Sequence, residues 1–439
     1  MRDHSLIFRA ASVIQEQFIR IVRASDPLEM EDAAEQLKTF SEQNENKEGV
    51  LAGIPHLIPL LSGTDTQILN TMEILKNLLF EHRKDAYRFV NNDGIPPLIR
   101  LLSSEDGLQK EQASLLLWKL SEIEEIIHTI ETGTGDENGM VSVIALLTTG
   151  TDAQKENAMG ILTSFSRYSS YENDYDTKIA EHEGIPPIID LLGTERHRFD
   201  ALNLMFHLIK HEDIDIPFPF PVSAPSPSPI MDIIISNGGM SRLIQIVKPR
   251  EASPSTPIAM MLLSRFAKNY SIMIVQEHIE IIKVLITLLS SKTDTQDMIC
   301  EATDMLVQLG TLLDNHDSQM DFRSRMAAKT AADKLSRTLG NTMTVGALEE
   351  LFKNLSHDNP CLNSANLKKR IILFLHSVSK IQEIRPHFQT IFTKQITNQR
   401  TGIEILRDLH NTQGIIENIS FTPDSPTRPL KRWWGDSGV

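Results

Sequence analysis

The sequence has few cysteines, few aromatic residues and no long apolar run, and each shortage excludes a class of protein. Its only cysteines are Cys300 and Cys361, so it can build neither a disulfide framework nor a cysteine-based zinc site. We interpret both as small buried apolar residues in a reducing compartment. Aromatic residues make up 6% of the chain, and this scarcity favours packing between helices over packing between sheets. No apolar run reaches the ~18 residues of a membrane-spanning helix.

The charge and the short motifs narrow the range of partners. A formal net charge of −15 at pH 7 argues against nucleic acid and against anionic membranes as partners. The first residues lack the apolar run of a signal peptide, and Arg2 excludes N-myristoylation, so we predict a cytoplasmic and/or nuclear protein. Since no phosphate-binding loop, dinucleotide motif or kinase motif occurs, we predict no catalytic residue, metal ligand, cofactor or small-molecule substrate.

A short apolar phrase recurs seven times, and five copies directly follow a glycine. Clear copies are GIPHLIPLLSG from Gly53, GIPPLIRLLSS from Gly94 and GIPPIIDLLG from Gly184. Each phrase has apolar residues at i, i+3, i+4 and i+7, which places four side chains on one helical face. Four of the six steps between copies fall in the ~40–47-residue period of helical repeat arrays. The steps are 41, 45, 45, 55, 42 and 66 residues, and the first apolar positions are Ile54, Ile95, Met140, Ile185, Met240, Ile282 and Leu348.

The glycine and proline of the phrase indicate a sharp turn followed by a helix. We expect the glycine to adopt a positive φ at this turn, because L side chains are strained there. Proline two or three places later fits the first helical turn, where its missing N–H leaves no hydrogen bond unmade. The phrase therefore predicts the start of a helix in every copy.

An amphipathic helix follows each phrase, and a short segment, such as 86–94 or 177–184, often links one unit to the next. The predicted repeat thus has three helices: the short segment is the first, the phrase forms the second, and the amphipathic helix is the third. The third helices are predicted at 66–82, 109–123, 153–168, 199–210, 258–269, 296–313 and 366–381.

The run Gly-Ile-Pro-x-Leu-Ile-x-Leu-Leu-Ser, followed by a polar stretch and an apolar helix, closely resembles the armadillo repeat of importin-α, β-catenin and related proteins. The resemblance covers residues 28–380. It implies an all-α fold, a right-handed α-solenoid of about seven to eight armadillo-like repeats. A HEAT-repeat array would share this architecture, and for the C-terminal repeats the choice stays open. The Gly-Ile-Pro turns and the short linking segments favour the armadillo type.

The segments outside the repeats predict two ends and two insertions. Residues 1–27 are interpreted as an N-terminal capping helix, which hides the open end of the repeat core. The repeats occupy 28–417, and 418–439 form a flexible tail without a fold of its own. Six prolines make 212–229 an inserted Pro-rich loop. A second insertion, partly helical, is predicted at 314–345.

The resemblance also predicts a binding groove. In armadillo proteins the third helices line a concave groove, and in importin-α a ladder of Asn side chains holds the backbone of an extended peptide beside a row of Trp. A primary amide suits this role because it both donates and accepts hydrogen bonds. Only Asn77 keeps the family residue here, and the Trp row is missing. The matching positions are Asn77, Lys119, Ser164, His207, Arg265, Gln308 and Ser377.

The replacements at these positions predict the charge of the partner. Lys119 and Arg265, with His207, would make the groove locally basic, which favours an acidic or phosphorylated extended segment, similar to the arrangement in β-catenin. Simple solvation of the inner face explains the same charges equally well. We predict a non-enzymatic scaffold that binds protein partners through such a segment, without membrane insertion. An importin-α-like nuclear transport adaptor and an armadillo-type Hsp70 nucleotide-exchange factor remain as alternatives.

Overall fold

The computed structural model describes residues 2–79, 83–133, 138–170, 173–209, 229–248, 253–290, 296–313, 322–353 and 365–397. Within these ranges the regular elements are helices. They divide into two compact units, with the boundary between Asn237 and Gly238 for the described residues. The predicted tail at 418–439, and all but the last residue of the predicted Pro-rich loop at 212–229, lie outside these ranges.

The first unit consists of a helix pair, a series of three-helix repeats and one further helix. The pair is α1 and α2, and the repeats are α3–α5, α6–α8, α9–α11 and α12–α14. The last helices of these groups, α2, α5, α8, α11 and α14, pack side by side in that order. The bounds are α1 (Arg2–Arg23), α2 (Pro27–Ser41), α3 (Lys47–Leu51), α4 (Ile54–Leu57), α5 (Asp65–Leu79), α6 (Arg83–Val90), α7 (Ile95–Leu101), α8 (Gly107–Ser121), α9 (Glu124–Thr132), α10 (Gly139–Thr149), α11 (Asp152–Arg167), α12 (Tyr175–Glu181), α13 (Ile185–Leu191), α14 (Glu195–Leu208) and α15 (Pro229–Ser236).

The second unit repeats the same packing. Helices α17, α19 and α22 stack on one another, and α18 packs on α21. The backbone of Tyr270 is not helical (φ −122°, ψ 27°), so α17 bends there, and its last turns serve as the short first helix before α18 and α19. The bounds are α16 (Gly239–Val247), α17 (Ser255–Glu277), α18 (Glu280–Ser290), α19 (Gln296–Gly310), α20 (Phe322–Thr342), α21 (Val345–Lys353), α22 (Ala365–Ser379) and α23 (Arg385–Thr397).

Most of the predicted second insertion belongs to the helical array. Residues 322–342 form α20, which packs against α17 and α18. Residues 314–321 lie outside the described ranges. Helix α20 is therefore the first helix of the repeat that continues with α21 and α22.

The apolar face predicted from the phrase forms the core. All seven first apolar residues are at most 1% exposed, and in the unit-1 phrases the later positions are buried as well. Burial of such side chains is the main stabilising term of a repeat, at ~25 cal/mol per Å² of apolar surface. Together with the stacking of equivalent helices, this burial confirms the predicted all-α fold of armadillo-like helical repeats. In the last phrase, which begins at Leu348, the apolar position Leu355 and the side chain of Phe352 lie outside what the structure describes.

The predicted positive φ is wrong for the phrase glycines Gly53, Gly94 and Gly184, and in the last two copies it belongs to the residue before the glycine. Gly94 and Gly184 have φ values of −73° and −72°. The left-handed residues are those just before them, Asp93 and Glu183, each with φ 59°. The chain thus reverses direction through a non-glycine residue, and the glycine serves another purpose.

Gly94 is required because another side chain lies against its backbone. A Cβ atom at this position would overlap the ring of Phe89, which is fully buried. The Gly94 N–H donates to the Phe89 carbonyl at 3.1 Å, and the Asp93 N–H donates to the Val90 carbonyl at 3.0 Å. This pair of bonds with a left-handed residue is a Schellman motif, and it ends α6 directly before α7.

The first copy of the phrase does not form one continuous helix. Helix α4 ends at Leu57, and residues 58–62 continue as a 3₁₀ turn. Pro59 lacks an N–H and cannot donate the bond to the carbonyl four residues earlier. A proline at this position, six residues after the glycine, occurs in this copy of the phrase alone and therefore explains the break.

The interpretation of the cysteines as reduced residues is wrong for Cys300. This residue lies in α19, is disulfide-bonded and is half-buried. The other cysteine of the sequence, Cys361, lies outside the described residues. Separation along the sequence does not exclude a disulfide. A Cα–Cα distance of more than ~7 Å in the fold does, and the sequence alone does not show that distance.

One helix in the described part of the chain, α17, is long and apolar enough to cross a membrane. Half of its most apolar window is buried inside the protein, and α17 packs against α16, α19 and α20. Buried core helices pass the same test, so this is weak evidence for a membrane span. The absence of membrane insertion stays a prediction.

Candidate functional site

The seven predicted groove residues all lie on third helices, in two groups. The first unit holds four of them, on α5, α8, α11 and α14 in turn. The second unit holds three, on α17, α19 and α22. In chain order they are Asn77, Lys119, Ser164, His207, Arg265, Gln308 and Ser377.

Asn77, Ser164 and Ser377 form hydrogen bonds within the chain. The Asn77 Nδ2 donates to the Ser41 hydroxyl at 3.0 Å. Ser164 and Ser377 are 2% and 3% exposed, and each hydroxyl donates to the backbone carbonyl one turn earlier, at 3.2 and 3.0 Å. Asn77 therefore joins α5 to α2, whereas the two serine hydroxyls are bonded within their own helices. The three side chains do not form a row of free amides like the importin-α ladder.

The two cations of the predicted basic groove lie beside carboxylates. Lys119 Nζ is 3.1 Å from Glu122 Oε1. In the second unit, Arg265 acts to lower the pKa of Glu301, although burial raises that pKa overall. Glu122 therefore offsets the positive charge of Lys119, and the basic groove stays a prediction.

A pocket of about 290 Å³ lies between three consecutive third helices of the first unit, α8, α11 and α14. We call it the Trp118 pocket. Of the predicted groove residues only Ser164 lines it. The side chains that set its chemistry are Trp118 and Glu122 from α8, Glu156 and Arg167 from α11, and Asp200 and Asn203 from α14.

Helical spacing explains why the prediction missed the pocket. Trp118 and Glu122 are four residues apart and Asp200 and Asn203 are three apart, so each pair shares one helical face. The predicted position on α14, His207, lies one turn beyond Asn203. A usable signal was present in the sequence, because Trp118 is the only tryptophan of the repeat region and carboxylates occur at helical spacing in the same helices.

The indole of Trp118 packs against a backbone that has no side chain. A Cβ atom on Gly160 would overlap the indole ring, so this glycine permits the close approach of α8 and α11. The other neighbour of the ring is Lys119, whose Nζ is 4.6 Å from the ring centroid. Trp118 is half-buried and forms one wall of the pocket.

The carboxylates of the pocket differ in their partners. Glu122 is paired with Lys119, and Glu156 Oε1 lies 2.8 Å from Arg196 Nε. Asp200 forms no hydrogen bond or ion pair with the part of the chain that the structure describes. Burial and the neighbouring Glu156 raise the pKa of Asp200 above its ordinary value. Asp200 is therefore the carboxylate that gains most from an added cation.

A row of buried amides fixes the spacing of the third helices that carry the pocket. Each is the third residue of its helix, is at most 3% exposed, and donates to the first residue of the preceding third helix. The bonds run from Gln67 Nε2 to the Pro27 carbonyl at 3.0 Å, from Gln109 Nε2 to Asp65 Oδ1 at 2.7 Å, and from Gln154 Nε2 to the Gly107 carbonyl at 2.9 Å.

A histidine takes the same position in α14. His197 is 2% exposed, and its Nε2 lies 3.1 Å from Asp152 Oδ1. This hydrogen bond is the main reason why the pKa of Asp152 is lowered. Arg196 pairs with Asp152 and Glu156 at 3.0 and 2.8 Å. These contacts hold α14 on α11 and keep Glu156 at the edge of the Trp118 pocket.

The described residues contain no group of three or more His, Cys, Asp or Glu side chains able to hold a metal ion. Two carboxylates of the Trp118 pocket, Glu122 and Glu156, form ion pairs with Lys119 and Arg196. What the site can do chemically is bind polar or charged groups.

The chain has an armadillo-like helical repeat fold. No family model and no curated protein matches the sequence. One similar structure is an engineered protein from the Northeast Structural Genomics Consortium, with a TM-score of 0.54 and 16% identity over 93% of this chain and 98% of that one. At this identity the likeness extends to the fold alone.

Two designed armadillo repeat proteins also match. One is described as a designed armadillo repeat protein, with a TM-score of 0.44 and 16% identity over 57% of this chain and 96% of that one. The other comes from computational design of armadillo repeat proteins for modular peptide recognition, with a TM-score of 0.45 and the same identity and coverage.

Proposed function

We propose that this chain is a non-enzymatic scaffold that binds an extended segment of a partner protein across the third helices of its first unit. The observation that carries the proposal is the Trp118 pocket, which opens between three helices of that row. An extended segment has unpaired N–H and C=O groups, which polar side chains on such a face can satisfy. A preformed helical array loses little conformational freedom when it binds.

The charge of the partner separates two versions of this proposal. The version predicted from the sequence has an acidic or phosphorylated segment held by Lys119 and Arg265. The pairing of Lys119 with Glu122, and the carboxylates of the pocket, instead favour a segment that brings a positive charge, because complementary charge determines which partner is accepted.

Two alternative functions, nuclear transport adaptor and Hsp70 nucleotide-exchange factor, each require a separate activity. A nuclear transport adaptor would carry a cargo through the nuclear pore, and an Hsp70 nucleotide-exchange factor would accelerate nucleotide release. A nuclear import assay and an Hsp70 nucleotide-release assay test them directly. The cytoplasmic and/or nuclear location stays a prediction, which imaging of the tagged chain tests.

Selection from a displayed library of random extended peptides tests the scaffold proposal. We expect the full chain to enrich peptides whose capture falls at least about tenfold in Trp118→Ala, as for the central aromatic residue of an interface. Leu108→Ala is the matched control, because Leu108 is 61% exposed on the same helix and does not line the pocket. Asn203→Ala, a milder change, guards against misfolding of the first variant. No enrichment, or equal capture by every variant, would contradict the proposal.

A further inference from the structure

We infer that the Trp118 pocket binds one long cationic side chain, that of a lysine or arginine, from the extended segment. This inference rests on the proposed function, and it names the chemistry of its central contact. Three features of the pocket carry it: its size, the half-buried indole ring in its wall, and its carboxylates, of which Asp200 has no ion pair within the described residues.

The size fits a single side chain. At about 290 Å³ the pocket lies at the lower limit of the ~300–1,000 Å³ typical of small-molecule and cofactor sites. Its walls come from three neighbouring repeats, so an extended segment that runs across the third helices passes over it. One long side chain can enter while the backbone of the segment stays outside.

The indole of Trp118 already attracts a cation. Lys119 Nζ lies 4.6 Å from the ring centroid, within the ~6 Å range of cation–π attraction. The same ammonium group pairs with Glu122. Lys119 therefore occupies, in the free protein, an environment that would also suit a cation from the partner, and it competes with that cation.

The lining of the pocket carries more negative than positive groups. The acidic side chains of the lining are Glu122, Glu156 and Asp200, and the basic one is Arg167. Asp200 is half-buried and has no ion pair within the described residues. Glu122 and Glu156 are already paired with Lys119 and Arg196. An entering ammonium or guanidinium group would give Asp200 a partner, whereas a carboxylate or phosphate would lie beside a like charge.

The site does not follow from the resemblance to other armadillo proteins. None of its charged side chains stands at a position that the resemblance predicts, and the one shared residue, Ser164, is 2% exposed with its hydroxyl bonded to its own helix. The pocket is formed by residues that include Trp118, Gly160 and Asp200, none of which is a position that the resemblance predicts.

The indole N–H signal of Trp118 in ¹⁵N NMR spectra tests the inference. Trp433→Phe and Trp434→Phe in the full chain leave Trp118 as its only tryptophan, since the sequence has three. The probes are the Nα-acetyl amides of lysine, norleucine and glutamate, and the arginine amide. We expect a saturable shift with the lysine and arginine probes, and affinity at least about fivefold weaker for norleucine and glutamate.

Two charge variants sharpen the test. Asp200→Asn should weaken binding of the lysine probe about fivefold, because the unpaired carboxylate is lost. Lys119→Gln should strengthen it about two- to fivefold, because a competing cation is removed. Lys110→Gln is the matched control: it removes the same charge from the same helix, outside the pocket, and should leave the affinity unchanged.

Several results would overturn the inference. These are equal binding of the norleucine probe, tighter binding of the glutamate probe, no saturable shift with the lysine probe, or weaker lysine binding in Lys119→Gln. If selected peptides still depend on Trp118 while these probe experiments fail, the scaffold proposal survives and only the cationic side chain is wrong. If peptide capture never depends on Trp118, the scaffold proposal itself fails.

Discussion

Asp93 and Glu183 are the residues whose backbone departs most clearly from the expectation based on sequence. Both adopt a left-handed conformation with φ 59°, which costs a non-glycine residue roughly 1–2 kcal/mol. The glycine after each one has an ordinary φ. The pattern Gly-Ile-Pro identified the turn correctly, but it could not show that the glycine is there to accommodate a neighbouring side chain.

Two substitutions at adjacent positions should change stability in opposite directions. Asp93→Gly should raise the free energy of unfolding by about 0.5–1 kcal/mol, because relief of left-handed strain exceeds the entropic cost of glycine. Gly94→Ala should lower it by more than about 1 kcal/mol, because a Cβ atom would overlap Phe89. Urea denaturation followed by circular dichroism measures both. A loss of stability in Asp93→Gly would show that the left-handed residue is not strained.

Asp200 gives the binding of a cationic probe a dependence on pH. Burial and Glu156 raise the pKa of Asp200, and only the ionised carboxylate can pair with the cation. Affinity for the lysine probe should therefore rise as pH increases through this raised pKa and then stay level. The charged groups that act on the pKa of Asp200 are Glu156 on α11, which raises it, and His197 on α14, which lowers it. Arg167 on α11 and Glu122, directly after α8, line the same pocket.

Titrations of the NMR shift between about pH 4 and 8 measure this effect. In Asp200→Asn the rise should be absent. The same raised pKa means that ionised Asp200 destabilises the fold: its contribution to stability falls as pH rises from the unfolded pKa through the folded one. Asp200→Asn should thus be more stable than wild type at neutral pH, by an amount that vanishes in acid. A rise in affinity that persists in Asp200→Asn would assign it to another group.

The third helices and the starts of the second helices could be predicted closely from the sequence, whereas the bounds of the short first helices could not. The helix predicted at 153–168 is observed at Asp152–Arg167, and the one predicted at 296–313 begins at Gln296 and continues to Leu313 with its 3₁₀ end. Long segments with a clear 3.6-residue period are easily recognised. Short helices such as α9, and the bend at Tyr270, depend on packing between repeats, which a single segment does not reveal.

The buried amides that join successive third helices should matter for stability. Gln154 donates to the Gly107 carbonyl at 2.9 Å, and its Oε1 accepts from the Thr151 N–H at 3.1 Å. Gln154→Met keeps the size of the side chain but leaves both backbone groups without their bonds, which should cost about 1–3 kcal/mol. The control is Gln36→Met, whose bond to Asp32 is exposed and should cost under about 0.5 kcal/mol.

Urea denaturation monitored by far-ultraviolet circular dichroism compares the two glutamine variants. Equal stability of both would show that the inter-repeat bonds contribute nothing beyond an exposed side-chain bond. A large loss in Gln154→Met alone would support the row of amides as a device that sets the distance between repeats.

For the protein as a whole, the fold was more predictable from sequence than the site. Apolar positions such as Ile54 and Ile282 report burial through their spacing alone, and both are fully buried. The site depends on which charges from different repeats meet in space. Lys119 suggested a basic groove, although Glu122 three residues later is its partner and could have been recognised from the spacing. That Asp200 has no ion pair within the described residues becomes evident only when α8, α11 and α14 are packed together. Periodicity determines which face is apolar, and it leaves the ion pairs on the other face undetermined.

Hydrogen–deuterium exchange of the full chain, with and without a selected extended peptide, tests most directly whether the third helices of the first unit carry the binding site. The account predicts slower exchange on binding in α8, α11 and α14, whose amides lie along the Trp118 pocket, and unchanged exchange in the second helices α7, α10 and α13. Protection confined to the second helices, or spread evenly over both sets, would contradict it.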